Sequence, residues 1–403
     1  MVKKFKLPFI FIMICMLAAA GCANPSANHQ VETNPASDHP SAGPKGNEAY
    51  KIGTILSLTG PAGWLGQSTQ RAVETLKKQI NEAGGVNGHP LEIIVYDDQS
   101  KPEEASRWAK RLINEDKVVM IIGPNGTPTS NAAEQAAGSA KIPMISMSGG
   151  YIPDPKIGWG WAVVHSTDQV IERQFQYFAN KGLNNIGVLN PNDALGQIAD
   201  KAIARYAEKY KVNIVKRESF NMNDIQMKPQ LTSIMSAKPD AVISFVTGEP
   251  AVKVRKEMDE IGLNVPMLPP HSSATQAFLD LIGKIDNDKV LAAGGIITTF
   301  EQIPDDHPQK QVLETFISRF QKDHNYVPGY IEGFGYDALN VAYHALKQAG
   351  TDPQKIKDYL ENGGESIIGV NGTFKFTKDN RIGLSPETLR IVEIRDNKWS
   401  LLE

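Results

Sequence analysis

Thr127 stands immediately before Pro128. Proline is favoured at the first helical position, where its missing N–H is no loss, so Thr127 is the expected N-cap of a helix. The backbone N–H groups behind such a cap have no partner within the helix and attract an anion. The chemistry this spacing predicts is capture of a negatively charged group, with a purely structural cap as the alternative. Asp97 and Asp98 form the other conspicuous pair. Neighbours on a strand point to opposite faces, so the two carboxylates converge poorly on a metal or a shared proton. They read instead as strand-end residues at the rim of a cleft. The eight histidines are scattered without ligand spacing. A P-loop, a His-Glu-x-x-His pair, a G-x-S-x-G elbow and paired cysteines are all missing from the sequence. Gly333-Phe334-Gly335 opens no phosphate loop after a strand. Binding without catalysis, cofactor or metal is therefore expected.

The elements that must hold these residues alternate. Residues 52–58 read as a strand with a turn at Thr59-Gly60-Pro61. A helix follows, its apolar stripe carried by Ala72, Val73, Leu76, Ile80 and Ala83 at spacings of three and four. Gly84-Gly85 stops it. Strands at 91–96, 118–122 and 143–147 then alternate with helices at 103–114 and 128–139. The pattern repeats with strands at 186–189, 212–215, 241–246 and 290–298 and helices at 198–210, 228–236 and 251–261. Long helices at 309–324 and 336–349 precede hairpin-like strands at 373–376 and 389–394. Continuously apolar strands alternating with helices predict an α/β fold with two open parallel sheets covered on both faces. Ligands bind outside the carboxyl ends of such strands. The loops there are 59–66, 97–102, 123–127 and 148–155 on the first sheet, and 190–196, 247–250 and 269–275 on the second. Facing each other, they form one cleft.

The amino terminus is of another kind. Lys3, Lys4 and Lys6 precede an apolar run at 7–20, then Ala18, Ala19, Ala20 and Gly21 lead into Cys22. This is the layout of a secretory signal, over 1–21, and the cysteine resembles a bacterial lipobox whose thiol takes a diacylglycerol. The run is shorter than the roughly 20 residues a membrane-spanning helix needs. Residues 22–47 are Asn, Ser, Pro, His and Gly with almost nothing large and apolar, the composition of a flexible tether. Removing the signal takes Cys15 with it, so no disulfide is expected. The formal net charge is −3, becoming about −6 once the three leading lysines are lost. Without a basic run, nucleic acid is not an expected partner. The body from 48 onward is too long for one small core and predicts two domains.

The segment 54–105 resembles the start of the branched-chain amino-acid (Leu/Ile/Val) binding proteins, which are periplasmic-binding-protein type I receptors of ABC importers. The residues that carry it are Ser57-x-Thr59-Gly60-Pro61, Gly66, Asn81-x-x-Gly84-Gly85-x-x-Gly88, and Asp97-Asp98 with Pro102. Ile122-Gly123-Pro124, Pro143-Met144-Ile145-Ser146 and Gly335-Tyr336-Asp337-Ala338 continue the match over nearly all of 50–400. The resemblance implies two Rossmann-like lobes with parallel sheets joined by three crossovers. It places 48–167 and 299–377 in the first lobe, and 168–298 and 378–403 in the second. It also implies a monomeric, lipid-anchored receptor on the extracytoplasmic face that hands a small solute to permease subunits. The long tether and lack of a disulfide suit a Gram-positive surface. A sensor of the same fold, signalling to a membrane kinase or chemoreceptor, is the alternative.

The resemblance also implies site residues. Thr127 is the hydroxyl that meets a ligand carboxylate. Ser148, Gly149 and Gly150 follow the fourth strand, where relatives offer backbone and a hydroxyl; Gly150 stands where a threonine is common. Leu65 holds the place of an aromatic, with Trp64 displaced by one in the loop at the cleft mouth. Leu195 replaces a ring before Gly196. His271 replaces the acid that pairs with a ligand ammonium, and Glu249, in Thr247-Gly248-Glu249, is the nearby acid that would supply the charge instead. The alternatives are turn glycines at 149 and 150, a surface-loop histidine at 271 and a solvated carboxylate at 249.

Overall fold

In β1 (Tyr50–Leu56), Ile52 and Leu56 point to one face and Ile55 to the other, and all three are fully buried. Alternate strand residues take opposite faces, so a strand apolar on both sides needs cover on both. The computed structural model describes residues 48–221, 224–283, 289–362 and 364–403. The signal, Cys22 and the tether expected from the sequence lie outside the described residues.

β1 sits in a parallel sheet with β2 (Leu91–Asp97), β3 (Met120–Ile122), β4 (Met144–Ser146) and β5 (Gly160–Ala162), in the order β2-β1-β3-β4-β5. Helix α1 (Gly63–Glu82) covers one face; α2 (Pro102–Asn114) and α3 (Thr127–Ser139) pack together on the other. After β5 the chain leaves this sheet through α4 (Thr167–Lys181). The second sheet is parallel in the order β7-β6-β8-β9, from β6 (Asn185–Pro191), β7 (Asn213–Phe220), β8 (Ala241–Ile243) and β9 (Met267–Leu268). α4 packs on α5 (Ala194–Tyr210), and α6 (Lys228–Ser236) packs on α7 (Glu249–Glu260), which in turn meets α8 (Gln276–Ile282).

Val290 bridges Met267 and leads into β10 (Leu291–Gly294). The chain then returns to the first sheet, where α9 (Lys310–His324) and α10 (Tyr330–Ala349) pack against α1. α11 (Pro353–Glu361) and the hairpin of β11 (Ile367–Ile368) and β12 (Thr373–Phe374) follow. Finally β13 (Arg390–Arg395) and β14 (Lys398–Leu401) extend β10 as an antiparallel ribbon. Two open parallel sheets are what the alternating pattern implied, and a chain that leaves the first sheet and returns to it is what the resemblance implied.

Each lobe opens with the same close contact. A Cβ on Gly66 would lie 2.0 Å from the Ser57 carbonyl, and one on Gly196 would lie 1.8 Å from the Pro191 carbonyl. Only glycine lets the first turns of α1 and α5 sit on the ends of β1 and β6. Several boundaries differ from the sequence reading. α1 starts at Gly63, α10 starts at Tyr330, and the expected strand at 290–298 stops at Gly294 before a 3-10 helix, Ile296–Gln302. Gly333 and Gly335 weaken the helical signal at the start of α10; Gly335 is there because its Cβ would lie 2.2 Å from the Thr69 carbonyl of α1.

Candidate ligand-binding site

Thr127 is not the N-cap. Gly126 takes that position with extended backbone, and Thr127 is the first residue of α3. Pro128 therefore stands one place further into the first turn, which tolerates it equally well. Freed from capping, the Thr127 hydroxyl shares a 3.0 Å hydrogen bond with that of Ser148. Ser148 is fixed in turn, because its N–H donates to the Ser146 hydroxyl at 3.1 Å. Gly150 faces the same spot: a Cβ there would lie 2.3 Å from the Thr127 hydroxyl oxygen. A threonine at 150 and this placement of Thr127 are mutually exclusive, which gives the glycine a physical reason.

His271 is buried, not a surface-loop residue. It opens the 3-10 turn His271–Ser273 just after β9, and Gln174 holds the preceding loop by donating to the Pro269 carbonyl at 2.9 Å. Its ring reaches the first lobe directly, since a Cβ on Gly149 would lie 3.2 Å from the imidazole. It also meets Tyr330 edge-on, with ring centres 5.7 Å apart. Burial pulls the His271 pKa from 6.5 down to about 4, so the ring is neutral at pH 7. Its Nδ1 is buried without a hydrogen-bond partner among the described residues.

Tyr330 and His165 complete the cluster, and the sequence reading named neither. Their protons are fixed by bond accounting. The Thr388 hydroxyl donates to the Ser385 carbonyl at 2.7 Å, so it accepts from His165 Nε2, also at 2.7 Å. His165 Nδ1 then accepts from the Tyr330 hydroxyl at 3.0 Å. Burial, with His271 nearby as a lesser cause, holds the His165 pKa down to about 3. Tyr330 is pushed well above its ordinary value, also by burial. The signal for Tyr330 lay in Pro328-Gly329-Tyr330, a turn that ends in a helix start.

The remaining expected residues spread around this cluster. Trp64 and Leu65 are in the first turn of α1, not in a loop; Trp64 is half-exposed and Leu65 packs against the core. Leu195 likewise lies in the first turn of α5 and packs inward. Thr247 is half-buried. Glu249 begins α7, exposed to solvent, and takes no part in the hydrogen bonds of the cluster. The structure therefore joins Thr127, Ser148, Gly149, Gly150 and His271, and leaves Leu65, Leu195 and Glu249 outside that set.

Asp97 and Asp98 diverge as strand neighbours should. Asp97 accepts from the N–H groups of Leu58, Thr59 and Gln99 and from the Thr59 hydroxyl. Burial works to raise its pKa, yet these donors together hold it below the usual range. Asp98 accepts from the Ser57 hydroxyl at 2.6 Å and from Ser100 N–H; burial wins there and raises its pKa. Both staple the loop after β1, which leads into the first turn of α1. Among the described residues, no group of three or more His, Cys, Asp or Glu is arranged to hold a metal.

Two sheets whose strand-end loops enclose hydroxyls, helix N–H groups and neutral rings define a small-solute receptor. The comparisons agree: the chain matches the periplasmic binding protein family over residues 49–398 and belongs to it. It is 24% identical to a Leu/Ile/Val-binding protein homolog of Brucella abortus, over 82% of this chain and 86% of that one. It is 21% identical to a leucine-, isoleucine-, valine-, threonine- and alanine-binding protein of Pseudomonas aeruginosa, over 78% and 82%. Among solved structures, an extracellular ligand-binding receptor from Rhodopseudomonas palustris aligns with a TM-score of 0.78 at 27% identity, covering 88% of this chain and all of that one. A branched-chain amino acid transporter substrate-binding protein of Streptococcus pneumoniae, in complex with isoleucine, aligns at 0.72 and 19% identity, over 88% and 98%.

Proposed function

We propose that this chain is the solute-binding lipoprotein of an ABC importer. A lipid on Cys22 holds it at the extracytoplasmic face of the membrane, and its lobes close on a small carboxylate that passes to the permease subunits. The observation that carries the ligand reading is the charge of the cluster. Thr127, Ser148 and the start of α3 offer hydrogen bonds to an anion, while the place of an ammonium-binding acid holds a neutral, buried His271. An ammonium buried there without a carboxylate costs several kcal/mol. The ligand is therefore a carboxylate or related polar-ended molecule, not a plain branched-chain amino acid.

Calorimetric titration of 4-methylpentanoate into the wild type and Thr127→Val tests this. A hydrogen bond to a charged group contributes about 1.5–3 kcal/mol, so the variant should bind at least about tenfold more weakly. Equal binding by both proteins would remove Thr127 from the site. For the anchor, Cys22→Ala should release the domain or leave an unprocessed precursor; unchanged fractionation and migration would refute it.

A further inference from the structure

The stretch after β4 carries Ser148 to Thr127, yet its next two residues are Gly149 and Gly150. Two glycines in succession give the backbone the widest choice of conformations, so contacts outside the pair must choose for it. Some are local: Tyr151 N–H donates to the Ser148 carbonyl at 3.3 Å, and Thr167 N–H to the Gly149 carbonyl at 3.0 Å. Another lies behind the loop, where the Tyr151 side chain is buried among the residues under α2 and α3.

Glu134 waits there. It stands on α3, two helical turns beyond Thr127, so the two side chains leave the helix on one face. It is a buried acid, which is costly unless its oxygens are engaged. Its Oε1 accepts from Asp154 N–H at 3.0 Å. The Tyr151 hydroxyl is beside it: a Cβ on Gly160, the first residue of β5, would lie 2.0 Å from that hydroxyl oxygen and 2.4 Å from Glu134 Oε1. Both oxygens close on one point of the sheet, and only glycine leaves them room. Arg381 donates to the Gly160 carbonyl at 3.4 Å. Burial raises the Glu134 pKa, while Tyr151, Asp154 N–H and Arg381 favour its charge.

α3 and the loop therefore meet at two places. At the helix start, the Thr127 and Ser148 hydroxyls share their 3.0 Å bond. Further along, Glu134 takes the Asp154 N–H and packs on Tyr151. The glycine pair spans the gap between these two fixed points. A loop held in its bound shape before the solute arrives avoids the ordering cost of binding. Resting on the proposed function for the anion contacts Thr127 and Ser148, we infer that Glu134 and Tyr151 are positioning residues. They touch no solute; they hold Ser148 to Gly150 at the distance from Thr127 at which both hydroxyls reach one carboxylate.

Calorimetry with 4-methylpentanoate on the full chain, combined with a double-mutant cycle, tests this. Glu134→Leu removes the acceptor and should bind about tenfold more weakly, the scale of one lost hydrogen bond to a charged group. Glu134→Gln keeps an oxygen for Asp154 N–H and should stay within about twofold of the wild type. Added to Thr127→Val, Glu134→Leu should weaken binding by no more than about twofold further, because residues acting through one contact are not additive. Tyr151→Phe keeps the ring, should weaken binding about threefold, and carries the test if Glu134→Leu does not fold. Amide exchange without any solute gives an independent arm. The 147–151 segment should exchange at least about tenfold faster in Glu134→Leu than in the wild type or Glu134→Gln. Wild-type affinity in both Glu134→Leu and Tyr151→Phe overturns the inference, and so does a full tenfold loss on top of Thr127→Val. Failure of the wild type to bind 4-methylpentanoate refutes the proposed ligand, and exchange then decides the positioning alone: equal rates in all three proteins overturn it.

Discussion

The inner cluster and the cavity outside it, lined by the start of α1, the 326–332 segment and the 274–280 segment, are built on opposite principles. Inside, Thr127, Ser148, His165, His271 and Tyr330 are all uncharged at pH 7, and the rings are fully or nearly fully buried. Outside, half-buried Arg71 and exposed Asp280 share one wetter space with Trp64, while Glu332 in its wall is buried with both oxygens engaged by Tyr326 and Gly329. The difference follows from solvation. A charge deep in the fold costs several kcal/mol unless paired, so a site with no resident counter-ion is made of hydrogen-bond donors and dipoles. Arg71 and Asp280 stand where water can hydrate them. In the proposed site, selection rests on which polar groups of a ligand the neutral cluster can satisfy.

The largest effect that sharpens this comparison is on stability against pH. An unfolded histidine binds a proton below pH 6.5, whereas folded His271 refuses one until about 4 and His165 until about 3. Stability from the neutral rings is complete above pH 6.5 and is lost as pH falls from 6.5 towards those values. The loss is on the order of a few kcal/mol per ring. Urea midpoints between pH 7 and pH 4 should fall less steeply in His271→Gln than in the wild type; identical slopes would mean that the ring is not held neutral by the fold.

Next, His271→Glu puts an acid into the neutral cluster. The ratio of leucine to 4-methylpentanoate affinity should rise roughly a hundredfold, the scale of a paired against an unpaired buried charge. An unmoved ratio would show that residue 271 does not face the ligand's amino position. Gly150→Ala should be milder. Its Cβ would fall 2.3 Å from the Thr127 hydroxyl, and such overpacking costs about 1–3 kcal/mol, seen as weaker carboxylate binding with Thr127 displaced. Tolerance of the alanine would mean that Thr127 can turn away without consequence. Smallest of all, Glu249→Gln changes an exposed helix start and should shift stability by no more than about 0.5 kcal/mol and leave carboxylate affinity unchanged. A clear loss of leucine binding in that variant would return Glu249 to the site as the missing acid.

Much of this architecture is written locally, and the exceptions share a cause. The stripe of Ala72, Val73, Leu76 and Ile80 marks α1 because one helix face is buried by itself. The start of α1 at Gly63 is not so marked, because Gly66 answers to a contact with Ser57 at the end of the preceding strand, and not to helix propensity. The same holds for α10, whose Gly335 answers to Thr69 across the sequence. α4 was legible and passed over: Ser166 and Gln169 form a capping box and Gly182 closes the helix. Within the candidate cluster, the helix start before Pro128 points to Thr127, and the resemblance points to Ser148 after the fourth strand. His165 and Tyr330 have no such pointer, since a buried ring pair joined to Thr388 depends on segments brought together only by the fold.

The proposed inner site accepts a carboxylate and rejects an ammonium. Paired titration of leucine and 4-methylpentanoate into the wild type at pH 7 tests it most directly, because the two differ by the amino group alone. We expect 4-methylpentanoate to bind and leucine to bind more weakly by orders of magnitude, as an unpaired buried ammonium requires. Micromolar leucine binding that survives Glu249→Gln would contradict it.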